Sequence, residues 1–204
     1  MTGSPFPISS YSSSNLRKHT SANPIERWLL GRFHRVVADL LMQTDARTAL
    51  DAGCGEGLAI RRVVGQRRIC VFGLDESVDA LRVAKQFNPD PHYVAGDVVD
   101  MPFPDGAFDL VLCLEVLEHL RDPSPALAEL CRVSRRWLLL SVPNEPFFRG
   151  ANFLRAKNVS AWGNDPGHVN HWTARAFRRF VWPLCEIRRS QTSFPWTIVL
   201  ATVR

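Results

Sequence analysis

The sequence predicts an α/β fold in which helices cover both faces of a mostly parallel sheet. Short apolar runs of strand length recur along the chain, and segments with helical periodicity separate them. The length of 204 residues suits one domain with a complete hydrophobic core. We therefore expect a single domain over residues 23–204, preceded by a disordered tail over residues 1–22 that is rich in Ser, Thr and Pro.

The first predicted helix spans about residues 24–42. Asn23 can cap it, Pro24 suits the first helical position, and Glu26 completes a capping-box arrangement. Its apolar residues recur at helical spacing and are Ile25, Leu29, Phe33, Val36, Leu40 and Leu41.

Strands and helices then alternate. Five strands are predicted at 48–52, 69–74, 92–94, 108–113 and 137–142, and two closing strands at 186–189 and 197–203. Helices are predicted from the glycine-rich turn to about residue 64, over 77–87, around 127–133, and from the Thr173 cap to about 181. Residues 143–172 carry Pro, Gly and Asn without a period, so we expect a long loop or lid on the acceptor side.

Composition limits the cellular context. No stretch approaches the length of a membrane span, and the N-terminus lacks the layout of a signal peptide, so we expect a cytoplasmic protein. The five cysteines include no C-x-x-C pair, which favours free thiols in a reducing compartment over disulfides or a zinc site.

The basic residues are dominated by arginine. Three of the 25 are lysine, so 22 are arginine, and the formal net charge is +5. A GC-rich genome gives this bias without any function, and a polyanionic partner would also give it.

A glycine-rich loop follows the first predicted strand, in the order Asp51-Ala52-Gly53-Cys54-Gly55-Glu56-Gly57. Glycines allow a sharp turn and a close approach to a ligand, and the helix that follows offers unpaired N–H groups. The dinucleotide-binding fingerprint is G-x-G-x-x-G, whereas the third glycine here comes one residue earlier.

Acidic residues also end the next two predicted strands. Asp75 ends the second strand, where a carboxylate can accept from both ribose hydroxyls, and Asp97 with Val98 follows the third. Together with the run M-P-F-P-D-G-A-F-D-L-V at 101–111, this pattern resembles class I S-adenosylmethionine (SAM)-dependent methyltransferases of the type 11 kind, over about residues 45–145.

The resemblance implies a Rossmann-like, seven-stranded sheet in the order 3-2-1-4-5-7-6, and an enzyme with SAM as its cofactor. In that family the acid before the glycines helps to hold the SAM amine, and the acid after the third strand accepts from the adenine amino group. The cofactor-binding residues that we expect on this basis are Asp51, Gly53, Cys54, Gly55, Gly57, Asp75, Glu76, Asp97, Val98 and Leu114.

The acceptor side begins after the fourth strand with Glu115-Val116-Leu117-Glu118-His119. This string replaces the Asn/Asp-Pro-Pro-aromatic motif of methyltransferases that act on nucleobase or glutamine nitrogens. It resembles ubiquinone-pathway and small-RNA O-methyltransferases, which implies a divalent cation such as Mg²⁺ on Glu115, Glu118, His119 and His168. The alternative is that Glu118 favours a helix N-terminus and that neutral hydrogen bonds satisfy the histidines.

The leading hypothesis is methyl transfer from SAM to a small-molecule acceptor, at oxygen, with His119 and His168 as catalytic residues and His171 as a further candidate base. The arginine excess and the E-x-x-E-H pattern also allow an RNA 2′-O-methyltransferase, although the chain carries no Lys/Arg run. The third alternative is a non-catalytic SAM-binding protein.

Overall fold

A computed structural model of the chain describes Ser13 and residues 22–64, 69–145, 147–154 and 167–204. The predicted N-terminal tail lies almost entirely outside the described residues. The labelled helices are α1 (Pro24–Leu41), α2 (Val78–Phe87), α3 (Ser124–Val133), α4 (Phe147–Leu154) and α5 (Ala174–Val181), with a π-helical segment at Ile60–Val64 and a 3₁₀ turn at Leu117–His119. None of the described helices is long and apolar enough to cross a membrane.

The strands form one seven-stranded sheet in the predicted order, β3-β2-β1-β4-β5-β7-β6. Only β7 runs antiparallel to the other six strands, because it pairs antiparallel with both β5 and β6. The strands are β1 (Thr48–Ala52), β2 (Cys70–Asp75), β3 (His92–Ala95), β4 (Phe108–Leu114), β5 (Ser134–Pro143), β6 (Cys185–Ser193) and β7 (Trp196–Val203).

Two apolar clusters cover the two faces of the sheet. Leu110 and Leu112 of β4 pack with the α1 side, whereas Val111 packs with the side formed by α3 and α5. This alternation of side chains along β4 is what a strand that is buried on both faces requires. The predicted cap of α1 is confirmed, since Asn23 Oδ1 accepts from the backbone N–H of Ile25 at 2.9 Å.

The sequence pattern predicts a long irregular loop over residues 143–172, but part of this segment is helical. The helix α4 begins four residues after the end of β5, and its Phe148 N–H donates to Asn144 O at 3.0 Å. Burial of Phe148 in the α1-side core stabilises this short helix, and tertiary burial of this kind leaves no periodic pattern in eight residues. The rest of the predicted lid, residues 155–166, lies outside the described residues.

The sheet has two different edges. At one edge, β3 is only four residues long. At the other, β6 is nine residues long, mostly exposed, and interrupted by an irregularity between Ile187 and Arg189. The neighbouring pair β1 and β4 lies at the centre of the sheet, where the strand order reverses, and ligands of open α/β sheets bind at that point.

Candidate functional site

The glycine-rich loop, residues 53–57, turns away from the end of β1 in a left-handed backbone conformation. Gly53 has a φ of 76°, and its N–H donates to Leu74 O at 2.8 Å. A Cβ at Gly53 would lie 2.4 Å from Cγ2 of Val116, so the turn also requires the absence of a side chain. The loop therefore brings the end of β1 against the turn that follows β4.

Asp51 lies in β1, two residues before this loop, and is 3% exposed. Its Oδ2 has no hydrogen-bond partner among the described residues. Burial, and secondarily the negative charge of Asp75, raises the pKa of the Asp51 carboxyl to about 7. A buried carboxylate oxygen without a partner is suited to a cationic group of a ligand.

The Asp75 carboxylate is fixed at the tip of β2 by two backbone groups. Its Oδ2 accepts from Gly55 N–H at 2.8 Å and its Oδ1 accepts from Ser77 N–H at 2.9 Å. Each oxygen keeps a second lone pair, so the carboxylate is oriented and still able to accept from two hydroxyls. Asp97 is more exposed, and its Oδ1 accepts from Val99 N–H at 3.0 Å.

Gly53, Asp75 and Asp97 border one cleft of about 710 Å³, which we call the cofactor cleft. Its described lining includes acidic side chains but no lysine or arginine. The lining residues are Gly53, Gly55, Glu56, Asp75, Glu76, Ser77, Ala80, Gly96, Asp97, Val98, Leu114, Glu115, Val116, Glu118, His119, Leu120 and Gly167.

Three of the ten expected cofactor residues do not line the cleft. Asp51 is buried and is not part of the lining. The Cys54 side chain is buried against Gly73, and burial raises the pKa of its thiol. Gly57 faces α2, and its carbonyl oxygen accepts from the Asn88 amide at 3.0 Å. Cys54 and Gly57 thus shape the loop and do not line the cleft. Their place in the motif does not indicate which of these two roles they have.

On the acceptor side, the structure brings Glu118, His119 and His168 together. One ligand atom from each side chain lies within 4.8 Å of the other two. Glu118 and His168 are buried, whereas His119 is exposed to the cleft. The His168 ring packs against those of His119 and Phe148, with centroid distances of 5.0 and 5.1 Å.

The tautomer of His119 follows from its hydrogen bond. Its Nδ1 lies 2.8 Å from Gly167 O, and a carbonyl oxygen can only accept, so Nδ1 carries the proton. In the neutral ring, Nε2 then keeps a lone pair that can bind a cation or a proton.

Two expected residues lie outside this group. Glu115, expected as a fourth metal ligand, has a φ of 61°, and its Oε1 accepts from Ser141 Oγ at 2.9 Å. The left-handed backbone and the Ser141 partner turn it toward β5. His171 is also separate, because its Nδ1 lies 3.8 Å from the buried Glu145 carboxylate, whose pKa burial raises.

Several residues of the cleft were not expected from the sequence. Glu56 lies between two glycines of the motif, and this position was the one sequence feature that could have predicted its place in the cleft. Val116 and Leu120 lie in the string after β4, whereas Gly167 comes from a distant segment that no local pattern connects to the site.

Residues 50–137 match a family model described as a methyltransferase domain. This range contains the glycine-rich loop and all three acids at the strand ends, together with Glu118 and His119. Over this range the chain is similar to SAM-dependent methyltransferases, the family that the sequence resemblance predicted.

Relatives of this methyltransferase domain differ in what they methylate. The chain is 41% identical to a malonyl-[acyl-carrier protein] O-methyltransferase of Serratia marcescens, over 42% of this chain and 33% of the relative. It is 35% identical to an ajmaline N-methyltransferase of Rauvolfia serpentina, over 43% of this chain and 32% of the relative. The chain thus spans about a third of the length of these two curated relatives.

The fold of the methyltransferase domain is shared more widely. A crystal structure of magnesium protoporphyrin IX methyltransferase from Synechocystis with bound SAH superposes with a TM-score of 0.70 and 21% identity, over 93% of this chain and 92% of that chain. At this identity the likeness concerns the architecture of the sheet and its helices.

Proposed function

We propose that this methyltransferase transfers the methyl group of SAM to a hydroxyl oxygen of a small-molecule acceptor. Asp51 receives the SAM amine, the Gly53 and Gly55 backbone borders the amino-acid end, Asp75 accepts from the ribose hydroxyls, and Asp97 with Val98 meets the adenine. Support comes from the buried Asp51 Oδ2 without a partner among the described residues and from the fixed Asp75 carboxylate, which lines the cofactor cleft.

The charge of the cleft favours a small acceptor over RNA. The described lining holds six acidic side chains and no lysine or arginine, although the chain as a whole carries +5. A negative lining favours the cationic cofactor and disfavours a polyanion, because RNA binding depends on neutralising phosphates with Lys and Arg. The arginine excess therefore does not support the RNA alternative at this site.

Glu118, His119 and His168 fit a divalent cation in spacing and chemistry. Ligand atoms that each lie about 2.0–2.3 Å from one ion are separated by less than ~4.6 Å, close to the 4.8 Å within which these three atoms lie of one another. One carboxylate and two imidazoles suit Zn²⁺, Mn²⁺ or Fe²⁺ better than Mg²⁺, which prefers oxygen ligands. With Glu115 turned toward Ser141, the proposal favours a transition metal over magnesium.

Residues of the chain then activate the acceptor hydroxyl, whose oxygen attacks the methyl carbon of SAM. A bound cation would lower the pKa of the acceptor hydroxyl. Without one, His119 Nε2 can take the hydroxyl proton as the acceptor oxygen bonds to the methyl carbon and the carbon–sulfur bond breaks, which releases S-adenosylhomocysteine. The Gly167 carbonyl stabilises the resulting imidazolium by keeping its hydrogen bond from Nδ1.

The cofactor assignment is tested by calorimetric titration with SAM. We expect Asp75→Ala to weaken binding by about 1–3 kcal/mol, since buried polar partners lose their acceptor. Asp79→Ala, which removes an exposed acid on α2, is the matched control and should leave the affinity unchanged. Equal affinity of wild type and Asp75→Ala would remove Asp75 from the site, and a wild type that binds no SAM would reject the proposal.

The acceptor side is tested with a panel of hydroxyl, amine and short RNA acceptors and radiolabelled SAM. Once an acceptor is found, exhaustive chelation should lower turnover at least tenfold if a metal is used, and Zn²⁺ or Mn²⁺ should restore it better than Mg²⁺. Full activity after chelation with loss of activity in His119→Gln would instead assign His119 as the base. Preferential methylation of RNA would overturn the small-molecule proposal. His92→Gln on the edge strand β3 is the control.

A further inference from the structure

His168 comes to the site from a segment almost 50 residues beyond Glu118 and His119, and hydrogen bonds hold it there. We call residues 167–170 the His168 segment. The backbone N–H groups of Val169 and Asn170 both donate to Glu118 O, at 2.9 and 3.0 Å. His119 Nδ1 donates to Gly167 O, and the Asn170 side-chain amide donates to Leu120 O.

One of these four donors differs in kind from the others. Two belong to the backbone and one to the candidate ligand His119, whereas the Asn170 amide is a side chain outside the Glu118–His119–His168 group. Its acceptor is the carbonyl of Leu120, which borders the cofactor cleft directly after His119. The Asn170 amide therefore connects the His168 segment to the turn that carries the other two members of the group.

Of the four residues in the His168 segment, one, His168, is buried. The Val169 side chain is 55% exposed, and His171 is also exposed. His168 itself packs on Phe148 and His119, but ring stacking tolerates sliding that a short hydrogen bond does not. Polar contacts must therefore fix the position of the segment along the turn.

Asn170 is not needed for the helix that follows. The N-cap of α5 is Thr173, whose Oγ1 accepts from Ala176 N–H at 3.1 Å. The Ala174 N–H is satisfied by Asn144 Oδ1 at 3.2 Å. A role of Asn170 in starting α5 is thereby excluded.

We infer that Asn170 is a positioning residue that holds His168 within reach of Glu118 and His119. The inference rests on the proposed function, in which these three side chains act together. Removing the amide leaves Leu120 O without this donor and lets the segment shift, which separates His168 from its partners while the cofactor residues on β1, β2 and β3 stay in place.

The test compares Asn170→Ala with Val169→Ala, which truncates the exposed neighbour and keeps its backbone hydrogen bonds. In Asn170→Ala we expect turnover to fall about 10–100-fold, the range for residues that orient active-site ligands, with the Kd for SAM changed less than twofold. Val169→Ala should keep both values. Asn170→Ser, which retains a hydroxyl donor on a shorter side chain, should recover part of the turnover.

A second measurement reports the geometry directly. The rings of His119 and His168 are close enough for a nuclear Overhauser effect between their carbon-bound protons, and this signal should be lost in Asn170→Ala and kept in Val169→Ala. Circular dichroism melts check that both variants are folded, and if Asn170→Ala is unfolded the comparison is made with Asn170→Ser.

The outcomes separate the two proposals. If Asn170→Ala keeps both the ring-to-ring signal and full turnover, the positioning role is wrong. If the signal is lost but His119→Gln and His168→Gln retain full activity, Asn170 still positions the segment, and the proposed function of the three side chains fails instead.

Discussion

The Asp51 carboxyl is buried near the end of β1, where burial and the charge of Asp75 raise its pKa to about 7. In the unfolded chain the same group titrates near 3.8. Between these two values the folded protein holds a proton that the unfolded chain has released. The stability of the free protein therefore falls as the pH rises from about 4 to 7 through this group.

This linkage predicts that SAM binding is coupled to proton release. The SAM ammonium favours the ionised carboxylate, so at pH values below about 7 binding must expel the Asp51 proton, and affinity should rise with pH by up to ~10-fold per unit. Calorimetry in buffers of different ionisation enthalpy should detect up to one proton released at pH 6 and close to none at pH 8.

Two variants separate Asp51 from other acids. Asp51→Asn should bind SAM weakly without this pH dependence, and its free form should be more stable than wild type at pH 8, by an amount on the order of 1–3 kcal/mol. Asp79→Asn, which changes an exposed acid, should behave as wild type. A proton release that persists in Asp51→Asn would assign the linkage to a different group.

Some features of the candidate site depend only on the immediate neighbours of a residue along the chain. Gly53 must be glycine for its own backbone angle, and Asp75 ends its own strand. The structure does not bring Glu115 into the group of Glu118, His119 and His168, because its direction depends on its positive φ and on Ser141, 26 residues away. Neither feature has a local signature.

At the scale of elements, Arg132 of α3 holds the loop after β3. Its guanidinium donates to Met101 O at 3.0 Å and Phe103 O at 2.7 Å, and to the carboxylates of Glu129 and Asp105. The Met101 N–H in turn donates to Glu129 Oε2 at 2.9 Å. The planar, five-donor group of arginine can satisfy these acceptors together, whereas an ammonium group has three donors around one point.

Arg132→Lys should therefore lower the free energy of unfolding by about 1–3 kcal/mol, since two backbone carbonyls lose their charged donor. Urea denaturation at pH 7 measures this change. Arg82→Lys on α2 is the control for the same substitution in an exposed pair with Asp79, and it should change stability by less than ~0.5 kcal/mol. Equal effects of the two variants would contradict the role of Arg132 in holding the loop after β3.

Elements with a strong apolar period were predicted with nearly correct bounds, including α1, β1 and α5. Two were not. β6 was predicted as four residues and spans nine, because an exposed edge strand of Arg, Ser, Gln and Thr lacks the apolar alternation of a buried one. α4 was missed because its burial comes from Phe148 contacts with other elements.

For the molecule as a whole, the strand order followed from the family resemblance, not from the residue pattern. Periodicity alone predicts alternating strands and helices, but it does not determine that β7 lies between β5 and β6. The same limit applies to His168, whose approach to Glu118 depends on the fold of the complete chain.

The exposed edge at β6 affects how the protein behaves in concentrated solution. An open edge strand offers unpaired backbone groups to the edges of other molecules, which promotes intermolecular β-sheet growth. Here Arg188 and Arg189 lie at the irregularity in β6, and the opposite edge is limited to four residues. Charge and a broken register both oppose pairing between copies.

Replacing both arginines, in Arg188→Val/Arg189→Val, should accelerate aggregation several-fold at equal protein concentration, as followed by light scattering and thioflavin fluorescence. The pair Arg178→Val/Arg179→Val removes the same charge from the exposed side of α5 and should aggregate more slowly. Equal rates would attribute the effect to net charge. A faster rate in the β6 variant would show that Arg188 and Arg189 prevent strands of other molecules from extending the sheet at this edge.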